Sequence, residues 1–185
     1  MPKMLSPNTT IYWIAADSIA KDDDLYKAST YTAGGGGGTA KAVNISCAIT
    51  TDSTLNATDS DTDDSRSICD SGNAKTPTVA NYEASLTFFR EAIASGQKAA
   101  GNTSVYDKAF QLFKRGTQDG LIEGYLVKRI GFKQDAPMEA DMEISVYKVV
   151  ADNPRDELGD GDKPIQFTVP FQPQGYMQTY RKVAA

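Results

Sequence analysis

Histidine is absent from the 185-residue chain. Its absence removes the commonest general base near neutral pH and the commonest transition-metal ligand, so catalysis starts at a disadvantage. Two cysteines, Cys47 and Cys69, are too few and too far apart for a zinc site, which takes four ligands in closely spaced pairs. They read as a disulfide or as two thiols, and with no secretory signal at the amino terminus buried thiols are the expectation. Basic runs never exceed a pair and the net charge is −5, which argues against a body that grips nucleic acid by neutralising phosphates. No apolar run approaches the roughly 18 residues that a membrane-spanning helix requires. The expectation is a protein synthesised in a cytoplasm, with no membrane span, no cofactor, no metal and no catalytic residue to nominate. Its length suits a single domain over 1–185, since about 100 to 200 residues per domain is usual.

Negative charge, by contrast, is concentrated. Residues 52–70, DSTLNATDSDTDDSRSICD, hold six aspartates and one base, Arg66. Outside this stretch 18 acidic residues meet 18 basic ones. A charge imbalance confined to one loop or hairpin asks which surface wants a dense row of carboxylates.

Along the chain, residues 1–10 carry two prolines and an Asn-Thr-Thr cluster, which suits an extended amino-terminal arm. Ile11-Tyr12-Trp13-Ile14 is a short strand-type run, followed over 15–42 by a loose composition read as a long flexible loop. Its five consecutive glycines, 34–38, lack the Lys-Ser/Thr of a phosphate loop and read as a linker or hairpin tip. Period-two alternation then marks strands over 43–49 and 82–88. One helix is predicted after Ser104, capped by a Ser104/Asp107 pair, with Val105, Ala109, Leu112 and Phe113 on its apolar face and Gly116 closing it. Strands are expected over 121–132 and 142–150, and a last one over 165–171, where Pro170 and Pro173 suggest an edge or the end of pairing. The sum is a mainly β fold with one α-helix, a β-sandwich or partly closed barrel. Residues 164–180 contain no charged side chain, yet they include Phe167, Phe171, Tyr176, Met177 and Tyr180, a pattern expected at a subunit contact.

Three readings of the aspartates stand side by side. Asp59, Asp61 and Asp63 sit at positions one, three and five of a calcium-loop ladder, but Asp64 replaces the turn glycine and Asp70 the bidentate Glu. A solvated loop is the bland alternative. The third is an electrostatic lining that keeps a passing polyanion from adhering.

The block ISCAITTDSTLNATDSDTDDSRSICDSGN from Ile45, with NYEASLTFFR from Asn81 and QFTVPFQPQGYMQ from Gln166, resembles the major tail tube proteins of long-tailed bacteriophages (siphoviruses), particularly those of actinobacterial hosts. The resemblance implies a non-enzymatic virion protein, made in the host bacterial cytoplasm, whose subunits form hexameric rings that stack into a hollow tube with a continuous inner β-barrel. Its implied partners are further copies of itself, a tape measure protein, tail terminator and tip proteins, and phage DNA passing through the lumen without specific binding. By the same analogy the arm over 1–10, the loop around 34–38 and a carboxy-terminal arm over 172–185 are candidates for contacts between rings. Asp59, Asp61, Asp63 and Asp64 become candidates for the lumen wall. Arg66, Phe171, Tyr176, Met177 and Tyr180 become candidates for subunit or ring contacts. The alternative function is a small β-sandwich module that binds calcium or carbohydrate through the Asp-rich loop.

Overall fold

A computed structural model describes residues 9–32, 41–63, 76–90, 104–114, 120–157 and 164–184. Strand β1 (Thr9–Ala15) pairs along its whole length with β7 (Ile122–Ile130), from Thr9↔Ile130 to Ala15↔Gly124. The register is set by apolar residues on both faces: Trp13 and Leu126 turn one way, Tyr12, Ile14, Tyr125 and Val127 the other. On the far side of β7 lies β8 (Glu143–Ala151), and on the other side of β1 lies the short β2 (Ala42–Asn44). The sheet continues through β10 (Gln166–Lys182) and β6 (Asn81–Phe89) to β3 (Thr54–Thr58). Strand β9 (Arg155–Glu157) pairs with the start of β10, giving eight antiparallel strands in the order β2-β1-β7-β8-β10-β6-β3 with β9 beside the path. A separate ribbon, β4 (Thr62–Asp63) with β5 (Thr76–Pro77), prolongs the β3–β6 pair.

The sheet does not close, but it curls. Strands β7 and β3 stand four places apart, which on a flat sheet is about 19 Å at the usual strand spacing. Yet the Lys128 ammonium on β7 donates to the Leu55 carbonyl on β3 at 2.6 Å and to Asn56 Oδ1 at 2.7 Å. A lysine side chain spans only part of that distance, so strong coiling must bring the two strands face to face, giving a sandwich-like fold. Inside the curl an aromatic chain runs Trp13–Phe113–Phe88–Phe167, with successive ring centroids 5.1, 5.5 and 5.0 Å apart. Each such contact adds about 0.5 to 1.5 kcal/mol beyond the area buried.

Phe113 arrives on the one α-helix among the described residues, α1 (Val105–Phe113), whose amino end is capped as the sequence predicts: Ser104 Oγ accepts from the Asp107 amide at 3.0 Å. Ala109 and Phe113 are buried and Leu112 is half-buried, but Val105 is 43% exposed and takes no part in the apolar face. Gly116 lies outside the described residues.

Other expectations change. The strand foreseen over 43–49 ends at Asn44, because the chain must leave one sheet edge for the other; a 3₁₀ turn at Ser46–Ala48 makes the crossing and buries Ala48. That turn exposes Cys47, so the buried-thiol expectation fails there, while Cys69 lies outside the described residues. The loose segment 15–42 is, over much of its length, packed structure. Three 3₁₀ turns (Ala16–Ser18, Asp22–Tyr26 and Ala28–Thr30) bury Leu25, Tyr26, Thr30 and Tyr31 against the outer face of β1, β7 and β8, forming a second core. The glycines 34–38 lie outside the described residues. Finally, β10 lies between β6 and β8 in the sheet order, and its prolines fall where one pairing ends, the second of the two expected alternatives. Its first half pairs with β6 up to Phe171↔Ala84, and its second half with β8 from Phe171↔Ala151 onward. Pro170 sits at this exchange: its carbonyl accepts from Asp152 N at 2.8 Å, so its nitrogen, on the same side, meets β8 only where that strand ends.

Candidate functional site

Because β10 changes partners, its second half has one paired edge and one open edge. Residues 172–182 pair with β8 through Pro173↔Val149, Met177↔Tyr147 and Lys182↔Glu143, while the edge that faced β6 carries no strand among the described residues. At the branch point a side chain substitutes for the lost ladder. The Tyr82 hydroxyl on β6 accepts from Gln174 N at 2.8 Å and donates to the Lys148 carbonyl. Burial raises its ionisation above the ordinary tyrosine range, which keeps it a neutral donor at physiological pH.

Two register shifts, between Pro173 and Met177 and between Gln178 and Arg181, bend this half-strand and re-aim its side chains. Gly175 supplies a left-handed conformation at φ +70. Tyr180 adopts one too, at φ 56, which is rare for a bulky residue, and the residue is 71% exposed. The expected contact residues are therefore unequal. Tyr180 stands in solvent, Tyr176 and Met177 are half-buried, and Phe171 is buried in the core with its ring 5.3 Å from that of Phe113. Arg66 lies outside the described residues.

The open half-strand is strapped down on its outer face. Tyr26 and Tyr176 join hydroxyls at 3.0 Å, and the Arg181 guanidinium lies 4.0 Å over the Tyr26 ring. Burial, then the bond to Tyr176, pushes the Tyr26 phenol well above its ordinary range. Beyond the strand, Ala184 donates to the Tyr26 carbonyl at 2.6 Å and Val183 to the Met142 carbonyl at 2.9 Å. Within its own subunit the segment expected as a carboxy-terminal arm is held as far as residue 184.

Asp59, Asp61 and Asp63 are exposed on the ribbon that extends β3 and β6. Asp61 exchanges backbone bonds with Val79 and Thr78, at 3.0 and 2.7 Å, and its carboxylate accepts from Asn81 Nδ2 at 3.0 Å. The segment runs extended instead of winding round a centre, and no three His, Cys, Asp or Glu side chains converge among the described residues. Asp64 lies outside them.

Two cations escaped the sequence reading. Lys128 spans the curl as described, and burial lowers its ionisation. Arg129, next to it but on the opposite face, is wholly buried: it donates to the carbonyls of Lys133, Ala136 and Pro137 at 2.8 to 3.0 Å and to Thr10 Oγ1 at 3.0 Å. It ties down the β7–β8 connection through carbonyl oxygens. A single Lys-Arg pair inside an apolar strand gives no periodic signal by which to find either role.

Comparison with known proteins adds the family. None of the curated proteins matches the chain. Among solved structures, a chain of the "Cryo-EM structure of the anti-feeding prophage (AFP) baseplate, 6-fold symmetrised" is similar in fold at 10% sequence identity, with a TM-score of 0.55, over 96% of this chain and 95% of that one. A family of phage tail tube proteins matches along residues 1–185. This curled, open-edged sheet therefore belongs to the phage tail tube protein family, and it is a structural protein of a phage tail.

Proposed function

We propose that the chain is the repeating subunit of a tail tube, assembling as hexameric rings that stack into a hollow conduit through which phage DNA reaches the host. The observation that carries this reading is the open edge of β10 over 172–182, with exposed Tyr180 at its end. An unpaired strand edge is a template for another strand, and in a soluble subunit it is tolerated when a copy of the same chain covers it. Six copies joined edge to edge close a barrel and leave no edge open. The similar baseplate structure is sixfold symmetrised, which supports the ring number. The uncharged edge residues Gln172, Gln174, Gln178 and Thr179 set no like-charge barrier to such pairing. Tape measure, terminator and tip proteins are the further partners of such a tube, and the virion is its location.

In this reading the ribbon with Asp59, Asp61 and Asp63 faces the lumen, Asp64 is proposed to do the same, and these carboxylates repel the DNA backbone. Negative-stain microscopy of concentrated protein tests assembly: rings or tubes are expected, and a persistent monomer in the presence of its tail-assembly partners overturns the proposal. Charge reversal of Asp61, Asp63 and Asp64 to Lys tests the lumen separately. Tails are expected to assemble while genome delivery falls, and unchanged infectivity overturns that placement.

A further inference from the structure

The contact that closes the curl sets an amine against an amide. Lys128 on β7 and Asn56 on β3 lie 72 residues apart, and Lys128 Nζ donates to Asn56 Oδ1 at 2.7 Å. A second bond, to the Leu55 carbonyl at 2.6 Å, holds the nitrogen in place. The Asn56 amide carbon is one carbonyl bond beyond Oδ1, so Nζ lies within about 4 Å of it, close to the roughly 3 to 3.5 Å at which addition begins. Rotation about the last side-chain bond of Lys128 turns the nitrogen lone pair toward that carbon.

Among the described residues the polar partners of Lys128 are these two oxygens of amide groups, and no carboxylate pairs with its charge. Burial lowers its ionisation, which enlarges the share of free, nucleophilic amine. A carboxylate stands on the amide side instead. Glu83 of β6 is directly opposite Asn56 in the ladder, and both are exposed on the outer face, whereas the next pair, Leu55 and Ala84, is buried. Cross-strand partners hold their Cβ atoms about 4.5 to 5.5 Å apart, a gap that a glutamate side chain spans.

We infer that Lys128 and Asn56 join in an isopeptide bond, a covalent cross-link that the chain makes within itself. Nζ adds to Asn56 Cγ, and the Glu83 carboxylate carries one proton from Nζ to the departing Nδ2. The Cγ–Nδ2 bond breaks, ammonia leaves, and an amide joins β7 to β3 with no oxidant or cofactor consumed. Ammonia is diluted into the solvent, which draws the step forward. Strand β3 ends the sheet order with β6 as its neighbour, so the link fastens an edge strand and closes a loop of 72 residues. The bond forms inside one subunit and does not depend on ring assembly.

Intact-mass measurement on the full-length chain, followed from rapid purification onward, tests this. Loss of one ammonia is expected, and proteolysis is expected to release a branched peptide joining the Asn56 and Lys128 segments. Lys128→Arg keeps a cation able to donate to both oxygens but cannot form the bond, and it is expected to retain full mass. Full mass in folded wild-type protein overturns the inference. So does ammonia loss that persists in Lys128→Arg, which marks a succinimide at an asparagine. The branched peptide from wild type decides the matter even where a variant fails to fold. Glu83→Gln, at an exposed position, is expected to slow the mass loss at least about tenfold, and an unchanged rate overturns its part as proton carrier.

Discussion

At the scale of single residues, the tightest constraint in the molecule is the absence of a side chain. A Cβ placed on Gly124 collides with the Ile14 carbonyl oxygen and comes within 2.6 Å of the Trp13 ring. Neither can yield, because Ile14 is held in the β1–β7 ladder and Trp13 is wedged against Phe113. Gly124→Ala is therefore expected to destabilise the fold by about 1 to 3 kcal/mol, the usual cost of overpacking a dense core, read as a lowered midpoint of chemical unfolding. Tyr82 presents the opposite case, where one atom does two jobs. Tyr82→Phe keeps the ring, which lies 5.4 Å from that of Tyr147, but strands the Gln174 amide and the Lys148 carbonyl. The expected cost is about 1 to 3 kcal/mol, and faster hydrogen exchange at the Gln174 amide separates this local opening from a general loss of stability.

At the scale of elements, the strap over β10 joins a strand to a segment with no regular period. Two interactions of Arg181 contribute to it, and they are unequal. The ion pair with Asp23, 3.5 Å long, is between side chains that are largely exposed, so Asp23→Ala is expected to change stability by less than about 0.5 kcal/mol. The guanidinium lies directly over the Tyr26 ring, so Arg181→Ala is expected to cost about 0.5 to 1 kcal/mol. Equal effects in thermal melts count against this ranking. The same region shows why some elements are legible in sequence and others are not. Strands β6 and β8 and the start of β10 announce themselves through alternating apolar residues, β7 through its place after the Asp119-Gly120 turn signal, and α1 through Ser104, Asp107, Ala109 and Phe113. Leu25, Tyr26 and Tyr31 are buried as well, but 3₁₀ turns repeat too briefly to leave a period, and the Asp22-Asp23-Asp24 run beside them reads as solvent-facing. The partner exchange along β10 is equally hidden. Pro170 and Pro173 correctly mark an interruption in pairing, but which neighbour ends there depends on β6 and β8, far away in sequence. Of the candidate site, the aromatic character of β10, charge-free through Tyr180, is readable, whereas the exposure of Tyr180 depends on a backbone irregularity that composition does not encode.

At the scale of the whole molecule, tyrosine distribution sets the response to alkali. Burial is the leading cause that raises the ionisation of Tyr12, Tyr26, Tyr31, Tyr82, Tyr125 and Tyr147. They span both cores and both faces of the sheet, so no single element carries the effect. In the unfolded chain each phenol releases its proton near pH 10, whereas in the folded chain it holds the proton to higher pH. Across that window the folded state binds more protons, so stability is fully present below about pH 10 and declines as the pH rises beyond it. Lys128 works in the other direction: burial lowers its ionisation, so it gives up its proton earlier when folded and adds stability as the pH climbs toward its ordinary value. With six phenols against one ammonium, the tyrosines decide the sign. The unfolding midpoint is expected to hold steady from neutral pH to about pH 9 and to fall steeply above about pH 10. Tyrosinate absorbance and far-ultraviolet circular dichroism, followed together, check it: most of the absorbance is expected to rise in step with loss of the β signal. Full ionisation of the six phenols with the sheet intact would show that the tyrosines are not what ties this fold to its protons.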